Sequence, residues 1–155
     1  MLKKILLGLL FILIIIQFIQ PQKNNGVAET PKDIAHTVMV PDTVLGLLKT
    51  ACYDCHSDHT NYPWYSKITP VNWWLSNHIN DGKKHLNFSS FGNYDAKRMD
   101  KKLDEIIETV KEHAMPLESY LWIHNEAKLT DAERVMITDW AGKARSEVAQ
   151  RNPVH

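Results

Sequence analysis

Cys52-Tyr53-Asp54-Cys55-His56 holds the only two cysteines of the 155-residue chain, three positions apart, with a histidine directly after the second. This is the C-x-x-C-H attachment pattern of c-type haem. The spacing has a chemical basis. Each thiol can add across one of the two vinyl groups of the porphyrin, and two thioethers result. With both sulfurs fixed, His56 is held at the iron as its proximal ligand. Three other readings attach to the same residues. A thioredoxin-like dithiol needs a βαβ setting, and no strand-rich pattern surrounds these cysteines. A structural zinc site needs four ligands, so two histidines such as His59 and His78 would have to complete it. A plain disulfide is the third.

The residues on either side of the motif read as helices. Before it, Asp42 follows Pro41 as a candidate N-cap, and Val44, Leu45, Leu47, Leu48 and Ala51 fall near one helical face. That helix delivers the chain to Cys52. After it comes an aromatic loop, Asn61-Tyr62-Pro63-Trp64-Tyr65. Thr69-Pro70 then suits a helix start. Val71, Trp74, Leu75, His78 and Ile79 share one face at i, i+3, i+4, i+7 and i+8, and Gly82 is a plausible end signal. His78 therefore faces inward with apolar neighbours. The loop at residues 87–92 carries Phe88 and Phe91 as anchors.

From Asp95 to Ala114 a third helical pattern buries Met99, Leu103, Ile106, Ile107 and Val110, with lysines and glutamates on the opposite, solvated face. Pro116 ends it and biases Met115 toward an extended backbone. Thr130-Asp131-Ala132-Glu133 is a capping box, opening a helix with Met136, Ile137, Trp140, Ala141, Ala144 and Val148 on one face. Strand alternation and internal repeats are absent from the pattern. The expected fold is all-α.

The N-terminus is different in kind. Lys3 and Lys4 precede an unbroken apolar block over residues 5–16, followed by Gln17, Phe18 and Ile19. A charged n-region and an apolar h-region make a secretory signal, but no clear small-x-small cleavage site follows. The expectation is an uncleaved signal-anchor over residues 1–19, with the lysines cytoplasmic and the rest outside the inner membrane, in the periplasm. Residues 20–41, with three prolines, one glycine and no sustained period, read as a tether. Residues 42–150 are then the folded domain. Lysine plus arginine equals aspartate plus glutamate at 18 each. That balance, with no basic stripe, excludes nucleic-acid binding.

Taken together, the C-x-x-C-H pattern, several helices, a downstream Met115-Pro116 pair and a capped C-terminal helix resemble a monohaem cytochrome c. The motif with Asn61-Tyr62-Pro63-Trp64-Tyr65, Pro70, Trp74, His78, Gly82, Leu86-Asn87-Phe88-Ser89, Met115-Pro116, Ser119-Tyr120 and Leu129-Thr130 resembles more closely the small bacterial haem-binding domain family, over about residues 40–145. The resemblance implies one covalent haem c per chain, a helical domain around it, and exported or membrane-anchored protein. Tyr62, Pro63, Trp64, Trp74 and Phe88 are candidates for the haem pocket. Methionine sulfur and histidine nitrogen both serve as axial partners of haem iron. Met115 is the expected sixth ligand, His78 the alternative and His113 the third. Electron transfer with unidentified redox partner proteins is the expected role, an electron carrier rather than an enzyme. A peroxidase-like enzyme or a haem-based sensor would instead need an open sixth position.

Overall fold

A computed structural model describes residues 1–151. Among them the regular structure is helical: α1 (Leu2–Ile16), α2 (Ile34–Thr37), α3 (Asp42–Ala51), α4 (Tyr53–His56), α5 (Val71–His85), α6 (Ala96–Lys111), α7 (Glu118–Leu121) and α8 (Asp131–Arg151). Three short 3-10 turns, Trp64–Lys67, Phe88–Asn93 and Asn125–Ala127, join them.

The frame is α6 packed on α8. Leu103, Ile106 and Val110 of α6 and Ile137, Trp140, Ala141, Ala144 and Val148 of α8 are buried in one cluster. The helix starts follow their sequences. Asp95 accepts from the Arg98 amide at 2.7 Å. The Thr130 amide donates to Glu133 at 2.7 Å while the Glu133 amide donates to Thr130 Oγ1 at 3.3 Å, the reciprocal capping box. Met136 departs from the expected inward stripe and is exposed, because Ile137 and Trp140 set the buried face. Helix α3 lies against this frame through Val44, Leu48 and Ala51, and ends directly at Cys52.

Residues 20–41 are not a tether. Asp33, Ile34 and Val38 are buried, and the stretch is fastened at several points. Asp33 accepts from the Ala35 amide as the cap of α2, and the Tyr53 hydroxyl donates to both its carboxylate oxygens at 3.0 and 3.1 Å. Asn25 pairs with His59 in an isolated antiparallel bridge. The Trp140 indole donates to the Met39 carbonyl at 2.9 Å. Prolines and scattered charges look like a linker in sequence, yet Asn24, Glu29, Thr30 and Asp33 all find partners in the domain. Burial raises the Asp33 carboxyl, and the Ala35 amide and Tyr53 hydroxyl partly offset it.

Helix α1 is shorter than the stretch 1–19 expected as an anchor. Among the described residues no helix is long and apolar enough to cross a membrane. The 15 residues of α1 extend about 22 Å at 1.5 Å per residue, against a hydrocarbon core of about 30 Å. It stops before residue 19 because Gln17 turns into the domain: its side chain pairs with the backbone of Thr69 in both directions, each at 3.0 Å. None of its residues is buried.

The buried Asp33–Tyr53 pair gives a test of the fold. Asp33→Ala removes a helix cap and leaves a buried hydroxyl unpaired, a loss of about 1–3 kcal/mol. In urea unfolding followed by circular dichroism, adding Tyr53→Phe to that variant should recover part of the loss. A change within about 0.5 kcal/mol of wild type for Asp33→Ala would mean that residues 20–41 do behave as a tether.

Candidate functional site

The motif is built by an abrupt junction. Helix α3 ends at Ala51, Cys52 leaves helical geometry with φ −129° and ψ −39°, and α4 begins at once with Tyr53. Tyr53 goes into the core, where its ring stacks on Phe88 at 5.0 Å between centroids. With Tyr53 turned inward as an anchor, Cys52, Cys55 and His56 line one cavity of about 380 Å³. That volume lies in the range of small-molecule and cofactor sites, roughly 300–1,000 Å³.

Helix α5 presses on the same turn. A Cβ added to Gly82 would lie 2.6 Å from the Cys55 carbonyl oxygen and 3.2 Å from Cys55 Cβ. Gly82 is therefore not a helix end, as its residue type suggests; α5 runs on to His85, and the missing side chain lets the helix touch the motif's backbone. One turn later, the Leu86 carbonyl lies 3.0 Å from His56 Nδ1. A carbonyl only accepts, so Nδ1 carries the proton and Nε2 keeps its lone pair. That is how a metal-binding histidine is oriented by its outer partner. Burial lowers the His56 pKa, with the Leu86 and Gly82 carbonyls acting the other way. The ring is neutral near neutral pH, the form that can ligate.

The thiols are protonated too. Burial, with Cys55 alongside, pushes Cys52 up to about 12. Burial and the Asp54 charge push Cys55 up to about 11. Redox dithiols have depressed values that expose a thiolate, so this environment is the reverse of a thioredoxin-like one. The two cysteines are not joined in a disulfide. Among the described residues no group of three or more His, Cys, Asp or Glu is placed to hold a metal ion by itself. That removes the zinc reading for these residues.

Most of the remaining wall is apolar, with Leu48, Leu86, Phe88, Ile106, Val110 and Ile137, while Lys102, Glu105 and Thr109 also border the cavity. Met115 lines the cavity as well, and its loop is fixed from behind. The Met115 amide donates to the Thr109 carbonyl at 3.1 Å. Arg134 Nη1 donates to the carbonyls of Met115 and Val110 at 2.9 and 3.0 Å. His78 also lines the cavity, half-buried with its ring against Trp74 at 4.4 Å. His113 does not. It sits exposed at the end of α6 in left-handed geometry, with φ 59°.

Of the aromatic candidates only Phe88 borders the cavity. Tyr62, Pro63, Trp64 and Trp74 do not. The Tyr62 hydroxyl accepts from the Asn24 amide at 2.7 Å. Trp64 and Trp74 are exposed; for Trp74 the reason is that α5 buries Asn72, Leu75 and Ile79 instead of the face containing Val71 and Trp74. Three further lining residues, Tyr120, Asp81 and His85, are not among the pocket candidates read from the sequence. Tyr120 donates to Asp54, the carboxylate between the two cysteines, at 2.9 Å, and stacks on His124 at 4.2 Å. Asp81 and His85, both exposed, border the cavity where it reaches solvent.

An apolar cavity with two protonated thiols and an oriented neutral imidazole on its wall suits a flat apolar macrocycle that carries a metal. Fold and site together define a small helical cofactor-binding protein. A family model described as a haem-binding domain matches residues 11–143, and the chain belongs to that family. The match includes residues 20–41, in keeping with their packing in the domain. No curated protein and no solved structure matches the chain.

The contact at Gly82 supplies a prediction. Gly82→Ala places a methyl group into the Cys55 carbonyl, and overpacking of this kind costs about 1–3 kcal/mol. Gly142→Ala in α8, where a Cβ meets nothing within 4 Å, should instead stabilise by about 0.5–1 kcal/mol. Unfolding midpoints and haem content per chain check the pair. Equal effects of the two substitutions would remove the special role given to Gly82.

Proposed function

We propose that the protein is a membrane-attached monohaem c-type electron carrier. The observation that supports this reading is the convergence of Cys52, Cys55, His56 and Met115 on one apolar cavity, with His56 Nδ1 tied to the Leu86 carbonyl. Cys52 and Cys55 would hold the porphyrin by thioethers, and His56 Nε2 and the Met115 sulfur would hold the iron. His78 is the alternative distal ligand. The bound iron supplies a one-electron Fe(II)/Fe(III) couple. The chain itself keeps both axial groups in place and water away, so that little has to move when an electron arrives or leaves. The polar edge at Asp81 and His85 is where the cofactor meets solvent.

Attachment is to the inner membrane through α1, with the domain in the periplasm. Exposed apolar surface on every turn of α1 has its natural partner in lipid. A helix shorter than the hydrocarbon core is accommodated by local thinning and by flanking lysines that snorkel, here Lys3 and Lys4. The electron donor and acceptor are other redox proteins.

Spectra separate this reading from a haem enzyme or sensor. The reduced wild type should bind no carbon monoxide. Met115→Ala should lose the weak red sulfur-to-iron band, fall in reduction potential and gain carbon monoxide binding, while His78→Ala keeps the wild-type spectrum. If His78→Ala alone changes the spectrum, the iron has two histidine ligands. Carbon monoxide binding by the wild type would mean an open sixth position and favour a peroxidase-like enzyme or a sensor.

A further inference from the structure

Between α1 and the domain there is no free linker. Beyond the Gln17–Thr69 pairing, Gln20 Oε1 accepts from Asn72 Nδ2 at 2.6 Å and the Trp73 indole donates to the Ile19 carbonyl at 2.8 Å. Asn72 and Thr69 are buried, so these bonds hold the end of α1 to the start of α5 by interior groups. Beside this clamp lies an apolar face that the domain leaves uncovered. Ile68, Val71 and Trp74 are 43%, 38% and 48% exposed, next to Phe18 at 85% and Ile19 at 57%.

We infer that this face is a membrane-contact surface: the start of α5 rests on the bilayer at the C-terminal end of α1, and the domain has a fixed orientation to the membrane. The inference rests on the proposed attachment through α1. What covers the patch follows from continuity. The patch begins where α1 ends, and the clamp keeps the two together, so a bilayer that takes up α1 must meet these side chains. Their chemistry suits that depth, because tryptophan at a membrane–water boundary keeps its ring in the apolar layer and its N–H with polar groups. Helix α5 also carries Gly82 and His78 to the cavity. The clamp and residues of the cavity therefore lie on one helix, which sets the distance of the cavity from the membrane surface.

The test uses the full haem-loaded chain in phosphatidylcholine–phosphatidylglycerol vesicles containing a photoactivatable lipid, with crosslinks located by mass spectrometry. Lipid should label α1 and also residues 68–74. The double variant Gln17→Ala/Gln20→Ala, with its haem spectrum unchanged, should keep the α1 label and lose most of the label on 68–74. Labelling confined to α1 in the wild type would overturn the inference and leave the attachment standing. So would full labelling of 68–74 in the double variant, or protection of that face by a second copy of the chain. A chain that fails to float with the vesicles would overturn the attachment itself, and the inference with it.

Discussion

The close passage of α5 over the Cys52–His56 turn is the constraint on which the site depends. A helix normally keeps a side chain's width from its neighbour, and Gly82 removes that width where the Cys55 carbonyl would otherwise collide. The same approach brings the Leu86 carbonyl to His56 Nδ1. One contact thus fixes both the backbone of the motif and the tautomer of its histidine. On the far side, Tyr53 is locked between Phe88 and Asp33, which turns the two cysteines toward the cavity. The motif is held by neighbours from several parts of the chain, residues 33, 82, 86 and 88 among them.

The opposite wall rests on a different device. Arg134, nearly buried in α8, donates to carbonyls at the end of α6 and in the Met115 loop. The Val110 carbonyl also accepts from the His113 amide at 3.3 Å, so Arg134 adds a second bond there. The α6–α8 frame therefore positions Met115 through backbone hydrogen bonds.

Much of this was legible in the sequence, for reasons that differ by element. The helices at α3, α5, α6 and α8 show through periodicity and caps, because burial of one face leaves a 3.6-residue trace. Met115 and His78 were singled out by their setting beside Pro116 and on α5, and both line the cavity. Gly82 misled, since a glycine near a helix end reads as a stop and its use as a clearance depends on a distant carbonyl. The Leu86 carbonyl left no trace at all, because a backbone acceptor has no side-chain signature. Residues 20–41 look like a linker because Asp33 and the prolines read as polar and irregular, and the partners that fasten the stretch, Tyr53 on Asp33 and Trp140 on the Met39 carbonyl, are distant in sequence. The resemblance puts Trp64 and Trp74 among the pocket candidates, but on α5 the inward place goes to Asn72, which bonds Gln20, and Trp74 is left exposed.

Covalent attachment at Cys52 and Cys55 is the central claim, and the intact mass of the purified, denatured protein tests it most directly. Made alongside a periplasmic haem-attachment system, the polypeptide should carry the added mass of one haem, and peptide mapping should place it on the fragment containing both cysteines. Cys52→Ser and Cys55→Ser should each leave at most one thioether. A polypeptide at its unmodified mass, with all its haem released on denaturation, would contradict the claim.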